Sequence, residues 1–292
     1  MGRIVIAGSS VPKLAREISK QLNCDFEVAK LIRFPDGELQ VQVDSVDKNV
    51  IYVQTMAPRP NEMFMEMLLT IDLLRDLGAK HITAAVPYLG YTRSDYRLTT
   101  GNSINIHTLF TLLESVGVKR LISVDIHTHR LSLKDMAKLT SIKLKEATAF
   151  PMLAKSAKLE KPLVLAPDVE ARKWARAAAN AIDADYDVIE KKRISPTEVE
   201  IKLKDVDVKN KDVLIVDDIV STGNTVIKLA KSLKKQGAKK IHAAFTHAVL
   251  STSDVVLNIY HAGINELIST NTIPNEFAVV DVSNLIAEKL RS

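Results

Sequence analysis

The chain has a single cysteine, Cys24, in its 292 residues. No intrachain disulfide is possible, which suits a reducing compartment. Cys24 itself fits a small, semi-buried apolar position better than a nucleophile. No apolar run approaches the length of a membrane span. The opening residues, Met1 to Ala7, are patterned as a strand and not as a secretory leader, so a cytoplasmic protein with no membrane partner is expected. Aromatic residues make up only 5% of the chain, too few for a base-stacking surface. The net charge of +5 comes from lysines interspersed with acids, without a long basic stripe. Nucleic acid is therefore not expected as a partner, and the mild cationic excess suits small polyphosphate ligands. A Walker-type Gly-x-x-x-x-Gly-Lys loop is also missing, so any phosphate must be held by other means.

What is present is the length of two ordinary domains, with 46% hydrophobic residues to build their cores. The most informative stretch runs from Val213 to Thr225. An apolar run, Val213 to Val216, meets two adjacent carboxylates, Asp217 and Asp218. A small hydroxyl-rich turn follows, with Ser221, Thr222, Gly223, Asn224 and Thr225, and then a helical pattern over Val226–Leu233. A buried strand, a tight turn and a helix start make an anion cradle of backbone N–H groups and positive dipole potential. Gly223 lets the backbone approach an anion closely. Acids placed just before the cradle suit sugar hydroxyls, so the expected ligand is a sugar phosphate. A plain Asx-type turn is the competing reading, but two acids at a buried strand end are costly without a partner. The stretch resembles the 5-phosphoribosyl-1-diphosphate (PRPP) motif of type I phosphoribosyltransferases and PRPP synthetases.

The chain is written twice. Ala15-Arg16 and Ala175-Arg176 lie 160 positions apart, and Arg33–Val43 overlies Arg193–Leu203 at the same offset. Lys48–Val53 matches Lys211–Val216, and Leu77–Ala85 matches Gln236–Ala244. A period this long is a whole domain and not a solenoid repeat. Each copy alternates strands with helices, such as Asn61–Arg75 closed by Gly78 and followed by the strand His81–Val86. That alternation predicts an α/β fold of two tandem duplicated type I phosphoribosyltransferase-like domains, each a mainly parallel sheet flanked by helices. The expected domains are 1–145 and 146–292, with the last helical pattern, Ser283–Leu290, packing back on the body. Ligands belong beyond the carboxyl ends of such strands. In copy one the loop corresponding to the cradle, Gln54 to Asn61, has lost both acids and the glycine and has gained two prolines, which donate no N–H. Sugar-phosphate binding is thus expected in copy two alone.

Five smaller constellations accompany the cradle. Asp36-Gly37, between Arg33-Phe34 and the alternating Leu39–Val43, predicts a hairpin, whose Phe34 and Glu38 could stack on a purine and accept its amine. Pro87 to Arg97 leaves a strand end carrying Arg93 and Ser94; arginine there suits polyphosphate or base recognition, and a solvated loop is the plain alternative. Asp125, His127 and His129 fall on one strand face by alternation, although histidine is an unusual choice for Mg²⁺ and spacing alone favours a structural role. Asp168 follows another strand and could serve Mg²⁺ or cap a helix. Glu190–Arg193 reads as a basic loop that closes over a transferring group.

As an ordered set these segments resemble the PRPP synthetase (ribose-phosphate diphosphokinase) family over almost the whole chain, and archaeal members in particular. The resemblance rests on Phe34-x-Asp36-Gly37-Glu38, Pro87 to Arg93, Val124 to His127, Pro167-Asp168, Lys191 to Arg193 and the PRPP loop. It implies transfer of the β,γ-diphosphate of ATP to the anomeric hydroxyl of ribose 5-phosphate, giving PRPP and AMP. It also implies ATP held by Phe34, Asp36, Gly37, Glu38, Arg93 and Ser94, and Mg²⁺ anchored by His127 and Asp168. Ribose 5-phosphate falls to Asp217, Asp218 and the run Ser221, Thr222, Gly223, Asn224, Thr225, and catalysis to Lys191 and Arg193. Because the family's hairpin reaches across a subunit interface, a homo-oligomer is implied. Ser94 stands where many members have glutamine, and Thr128 to Leu133 replaces the family's usual Gln-x-x-Gly-Phe-Phe. A nucleobase phosphoribosyltransferase would need only one such domain, and a non-catalytic subunit should have lost Lys191, Arg193, Asp217 or Asp218.

Overall fold

The computed structural model describes residues 2–97, 99–128, 130–193, 199–202 and 206–292; the side chains of 190–193, 199–202 and Ser253 fall outside the description. The chain divides into two compact units. One comprises Met1–Thr148, Thr272–Pro274 and Asp281–Ser292, and the other Ala149–Asn271 and Asn275–Val280.

The first unit runs β1 (Arg3–Ala7), α1 (Pro12–Leu22), β2 (Asp25–Val28), β3 (Lys30–Arg33), β4 (Leu39–Gln42), β5 (Asn49–Val53), α2 (Pro60–Asp76), β6 (His81–Ala85), α3 (Asn105–Ser115), β7 (Val118–Val124), α4 (Leu133–Met136) and β8 (Lys143–Ala147). Six strands form one sheet in the order β2-β1-β5-β6-β7-β8, every neighbouring pair parallel. Strands covered on both faces should read as unbroken apolar runs, and Ile4 to Ala7 and Val50 to Val53 are buried throughout. Tyr52, Met67, Ile71, Leu74 and Phe110 fill the core between sheet and helices. The expected stop of α2 is present: Gly78 adopts φ 107°, and its N–H donates to Arg75 O at 3.0 Å.

The second unit continues with α5 (Phe150–Ser156), β9 (Leu163–Ala166), α6 (Arg172–Ala181), β10 (Tyr186–Val188), β11 (Glu190–Arg193), β12 (Val199–Lys202), β13 (Val213–Val220), α7 (Asn224–Lys235), β14 (Ile241–Ala248), α8 (Ser253–His261), β15 (Glu266–Thr270) and β16 (Ala278–Val280). Its sheet order, β10-β9-β13-β14-β15-β16, repeats that of the first unit strand for strand. The 160-residue offset carries the antiparallel pair β3–β4 onto β11–β12 residue by residue. The duplication is therefore one of topology as well as sequence. The final helix, α9 (Ser283–Arg291), belongs to the first unit. It lies along α1, β7 and β8, and Arg120 Nη2 donates to Lys289 O at 3.1 Å.

Candidate functional site

The cradle of the second unit departs from the sequence expectation in one respect. β13 does not end at the acids but runs through them to Val220. Asp218 is buried, at 1% exposure, and its N–H donates to Asp217 Oδ1 at 3.0 Å, so the two acids stay in direct contact on the strand. The extended strand is stabilised by pairing with β14, whose eight residues are all buried.

Beyond β13 the turn delivers Gly223 as the N-cap of α7, in the left-handed region at φ 70°. A Cβ there would lie 3.0 Å from Val255 Cγ1 and 3.2 Å from Ile259 Cδ1. Glycine is thus required both by conformation and by the close approach of α8. No side chain caps the first turn of α7, and that turn contains no acid. Thr222 and Asn224 are exposed, and Ser221 and Thr225 half-buried. The result is a helix N-terminus whose positive end is left to a ligand. Lys234 and Lys235 complement the dipole at the other end.

Asp168 lies just past β9, and its Oδ1 accepts from the N–H groups of Glu170 (3.1 Å) and Ala171 (3.2 Å). This caps the turn that precedes α6 and not the helix itself, which starts at Arg172. Burial raises the Asp217 carboxyl well above the usual range, and the charges of Asp218 and Asp168 push it further. The end of this sheet therefore gathers more negative charge than it can hold unaided. Among the described residues no three His, Cys, Asp or Glu form a metal cage. Crowded carboxylates without a cage suit Mg²⁺, which keeps most of its waters and needs one or two protein oxygens beside substrate phosphates.

Lys191 and Arg193 stand on β11, opposite Ile201 and Val199 of β12. They belong to a hairpin strand and not to a loop as expected, because β-branched Val199 and Ile201 on the facing segment favour pairing; their side chains lie outside the described residues.

In the first unit the predicted hairpin is present. Phe34 N–H donates to Glu38 O and Gly37 N–H to Phe34 O, at 2.9 and 3.0 Å, and Asp36 Oδ1 accepts from Glu38 N–H at 3.1 Å. Gly37 has φ 94° and open space around it, and Phe34 is 43% exposed. Glu62 of α2 ties the hairpin down by accepting from Arg33 Nε at 2.6 Å, while Arg59 Nε approaches its other oxygen at 2.9 Å. Arg93 is exposed on the segment after β6, and Ser94 Oγ donates to Ser103 O at 3.1 Å. His127 is half-buried, but the strand alternation expected for Asp125 and His127 fails. β7 ends at Val124, and Asp125 turns into the left-handed region at φ 38°. His129 lies outside the described residues.

The counterpart of the cradle in this unit is filled from within. Gln54 and Thr55, at the end of β5, are fully buried. Gln54 Oε1 accepts from Ser10 Oγ at 2.7 Å, and its Nε2 donates to Glu66 at 2.9 Å. Glu66 also accepts from Ser9 N–H at 2.7 Å and Ser9 Oγ at 2.6 Å. Sequence reading overlooked Glu66; an acid in the middle of an otherwise apolar helix face was the available signal.

Comparison with known proteins matches this architecture throughout. The pattern of the N-terminal domain of ribose phosphate pyrophosphokinase covers residues 3–117, and that of the phosphoribosyl transferase domain residues 125–281. The chain is 34% identical to the ribose-phosphate pyrophosphokinase of Methanothermobacter thermautotrophicus over 99% of its own length and 100% of that protein's. The chain belongs to the ribose-phosphate pyrophosphokinase family. The protein of that name from Sulfurisphaera tokodaii is 35% identical over 98% of the chain and 100% of its own length. The crystal structure of phosphoribosylpyrophosphate synthetase from Mycobacterium smegmatis superposes with a TM-score of 0.86 at 25% identity, covering 100% of this chain and 98% of that one. Family membership accounts for the paired sheets.

Proposed function

We propose that the protein transfers the diphosphate of Mg²⁺-bound ATP to the anomeric hydroxyl of ribose 5-phosphate, forming PRPP and AMP. The observation that carries this reading is the asymmetry of the duplication. One copy keeps a glycine-capped helix N-terminus after a carboxylate-bearing strand, and the other ends the matching strand in Gln54, answered by Glu66, and carries an exposed hairpin instead. One sugar-phosphate site plus a separate aromatic and acidic platform suits a two-substrate transfer and not a single-domain phosphoribosyltransferase.

In this scheme the N–H groups and hydroxyls of Ser221 to Thr225 hold the 5-phosphate. Asp217 and Asp218 accept from the ribose hydroxyls. Phe34 stacks on the adenine, with Asp36, Gly37, Glu38, Arg93 and Ser94 completing the nucleotide site. The exposure of the hairpin tip supports its use by a partner subunit in a homo-oligomer. Asp168 and His127 would hold Mg²⁺, which when bound neutralises polyphosphate charge. The anomeric oxygen attacks the β-phosphorus and loses its proton, the bond from that phosphorus to the α–β bridging oxygen breaks, and AMP departs with that oxygen. Lys191 and Arg193 neutralise the charge on the group in flight; phosphoryl chemistry depends chiefly on such positioning and neutralisation. Incubation with Mg²⁺, ATP and ribose 5-phosphate should yield AMP and PRPP in equal amounts. No AMP at high enzyme concentration would overturn the reading.

A further inference from the structure

β6 and β7 are parallel neighbours, so the segments that leave their carboxyl ends run side by side. One bears Arg93 and Ser94, the other His127. Between them sits Asp95, 3% exposed. Its Oδ2 accepts from the backbone N–H groups of Arg130 at 2.9 Å and Leu131 at 3.0 Å, 35 and 36 residues further along the chain. The guanidinium of Arg130 lies 4.1 Å above the ring of Tyr96, which clasps the same two segments a second time. The Arg93 segment is held on its other flank by Ser94, bonded to Ser103 O, and by Tyr91, bonded to Asn61. Arg93 itself remains exposed.

A carboxylate that takes two backbone N–H groups makes charge-assisted hydrogen bonds, stronger than neutral ones. Asp95 stands two residues from Arg93 and its acceptances begin three residues from His127. We propose that Asp95 is a positioning residue for the diphosphate transfer: it locks the Arg93 segment to the His127 segment, so that the arginine and the histidine meet Mg²⁺-ATP at a fixed separation. This rests on the assignment of both groups to the nucleotide side. The role differs from catalysis, because Asp95 acts only through the segments it joins.

The test uses the full chain with Asp95→Ala and Asp95→Asn. Asp95→Ala should raise KM for Mg²⁺-ATP tenfold or more and leave KM for ribose 5-phosphate within twofold. Asp95→Asn keeps one oxygen able to accept both N–H groups but lacks the charge, so its KM for Mg²⁺-ATP should fall between those of wild type and Asp95→Ala. Combined with Arg93→Ala, Asp95→Ala should add much less than its separate effect, since the two act as a unit. Hydrogen exchange at Arg130 and Leu131 should quicken at least tenfold in Asp95→Ala. The inference is overturned if both KM values rise together, if only thermal stability falls, or if the effects of Asp95→Ala and Arg93→Ala multiply. Should Asp95→Ala fail to fold, an unchanged KM for Mg²⁺-ATP in Asp95→Asn overturns it equally. If wild type releases no AMP, the activity reading fails, and the lock is judged by hydrogen exchange alone: unchanged protection at Arg130 and Leu131 refutes it.

Discussion

Gly223→Ala perturbs the cradle by a single methyl group, and the structure fixes what that methyl meets. A non-glycine residue in the left-handed region, here at φ 70°, costs about 1–2 kcal/mol. The new Cβ also falls 3.0 Å from Val255 and 3.2 Å from Ile259, so α8 must yield by a few tenths of an ångström. Overpacking of that kind costs about 1–3 kcal/mol. At roughly 3 °C per kcal/mol for a domain of this size, a loss of about 3 kcal/mol lowers Tm by roughly 10 °C. Relief of the clash moves the turn away from its ligand, and displacement near 1 Å can cost about a hundredfold in rate. KM for ribose 5-phosphate should therefore rise steeply while KM for Mg²⁺-ATP changes little. Gly37→Ala is the control. It shares the positive φ, at 94°, but has nothing within 4 Å of the added carbon. Only the conformational cost of about 1–2 kcal/mol remains, on a hairpin outside both main sheets. Scanning calorimetry and steady-state kinetics on both variants decide the matter. An equal fall in Tm for the two, or an unchanged KM for ribose 5-phosphate in Gly223→Ala, would refute the steric reasoning.

Lys191→Ala should leave nucleotide binding by calorimetry nearly unchanged while kcat falls at least a hundredfold; equal losses in both would rule out a role confined to the transition state. Glu66→Leu strips acceptors from Ser9 and from the buried Gln54. The stranded Gln54 donor alone costs about 1–3 kcal/mol, so Tm should drop clearly with KM for ribose 5-phosphate unmoved, and an unchanged Tm counts against the network. Asp217 titrates above its unfolded value, so the folded, ligand-free protein keeps a proton that the unfolded chain has released. The stability this contributes is complete below the ordinary carboxylate pKa and is lost as pH rises through the raised value. Urea melts across that window should show the decline, Mg²⁺ with ribose 5-phosphate should flatten it, and Asp217→Asn should abolish it.

The fold was largely legible because period and offset are robust signals. Unbroken apolar runs such as Ile4–Ala7 and Val213–Val216 mark covered parallel strands, and the 160-residue offset places even the hairpin β11–β12. Local geometry was less legible where tertiary contacts decide it. The extension of β13 through Asp217 and Asp218 depends on pairing with β14, which no local pattern reports. β7 breaks where Asp125 turns to φ 38° with its N–H donating to the O of Ala147, the last residue of β8, at 2.9 Å, a cross-strand contact that no local pattern reports. Asp95 looks like an ordinary surface acid in the sequence, and only burial distinguishes it.

On the proposed function, the two copies also differ in what their sheet ends offer a ligand. Both strands, β5 and β13, end beneath a turn that opens a helix, and in both a polar group must answer the exposed N–H groups there. In the first copy Glu66 sits on α2 and accepts from Ser9, in the segment after β1, and from Gln54, at the end of β5, so the acid at this sheet end comes from the helix and is answered within the fold. In the second copy α7 carries no acid. The acids instead come from the strand, as Asp217 and Asp218, and leave the helix N-terminus open. Negative charge is then concentrated beside an unanswered positive dipole. A lone anion would satisfy the helix but worsen the crowding at Asp217, and a lone cation would do the reverse. A phosphate whose sugar hydroxyls face the carboxylates answers both at once, with a hydrated divalent cation alongside. On the proposed function, acids carried by the strand in place of the helix are what fit this sheet end to a sugar phosphate.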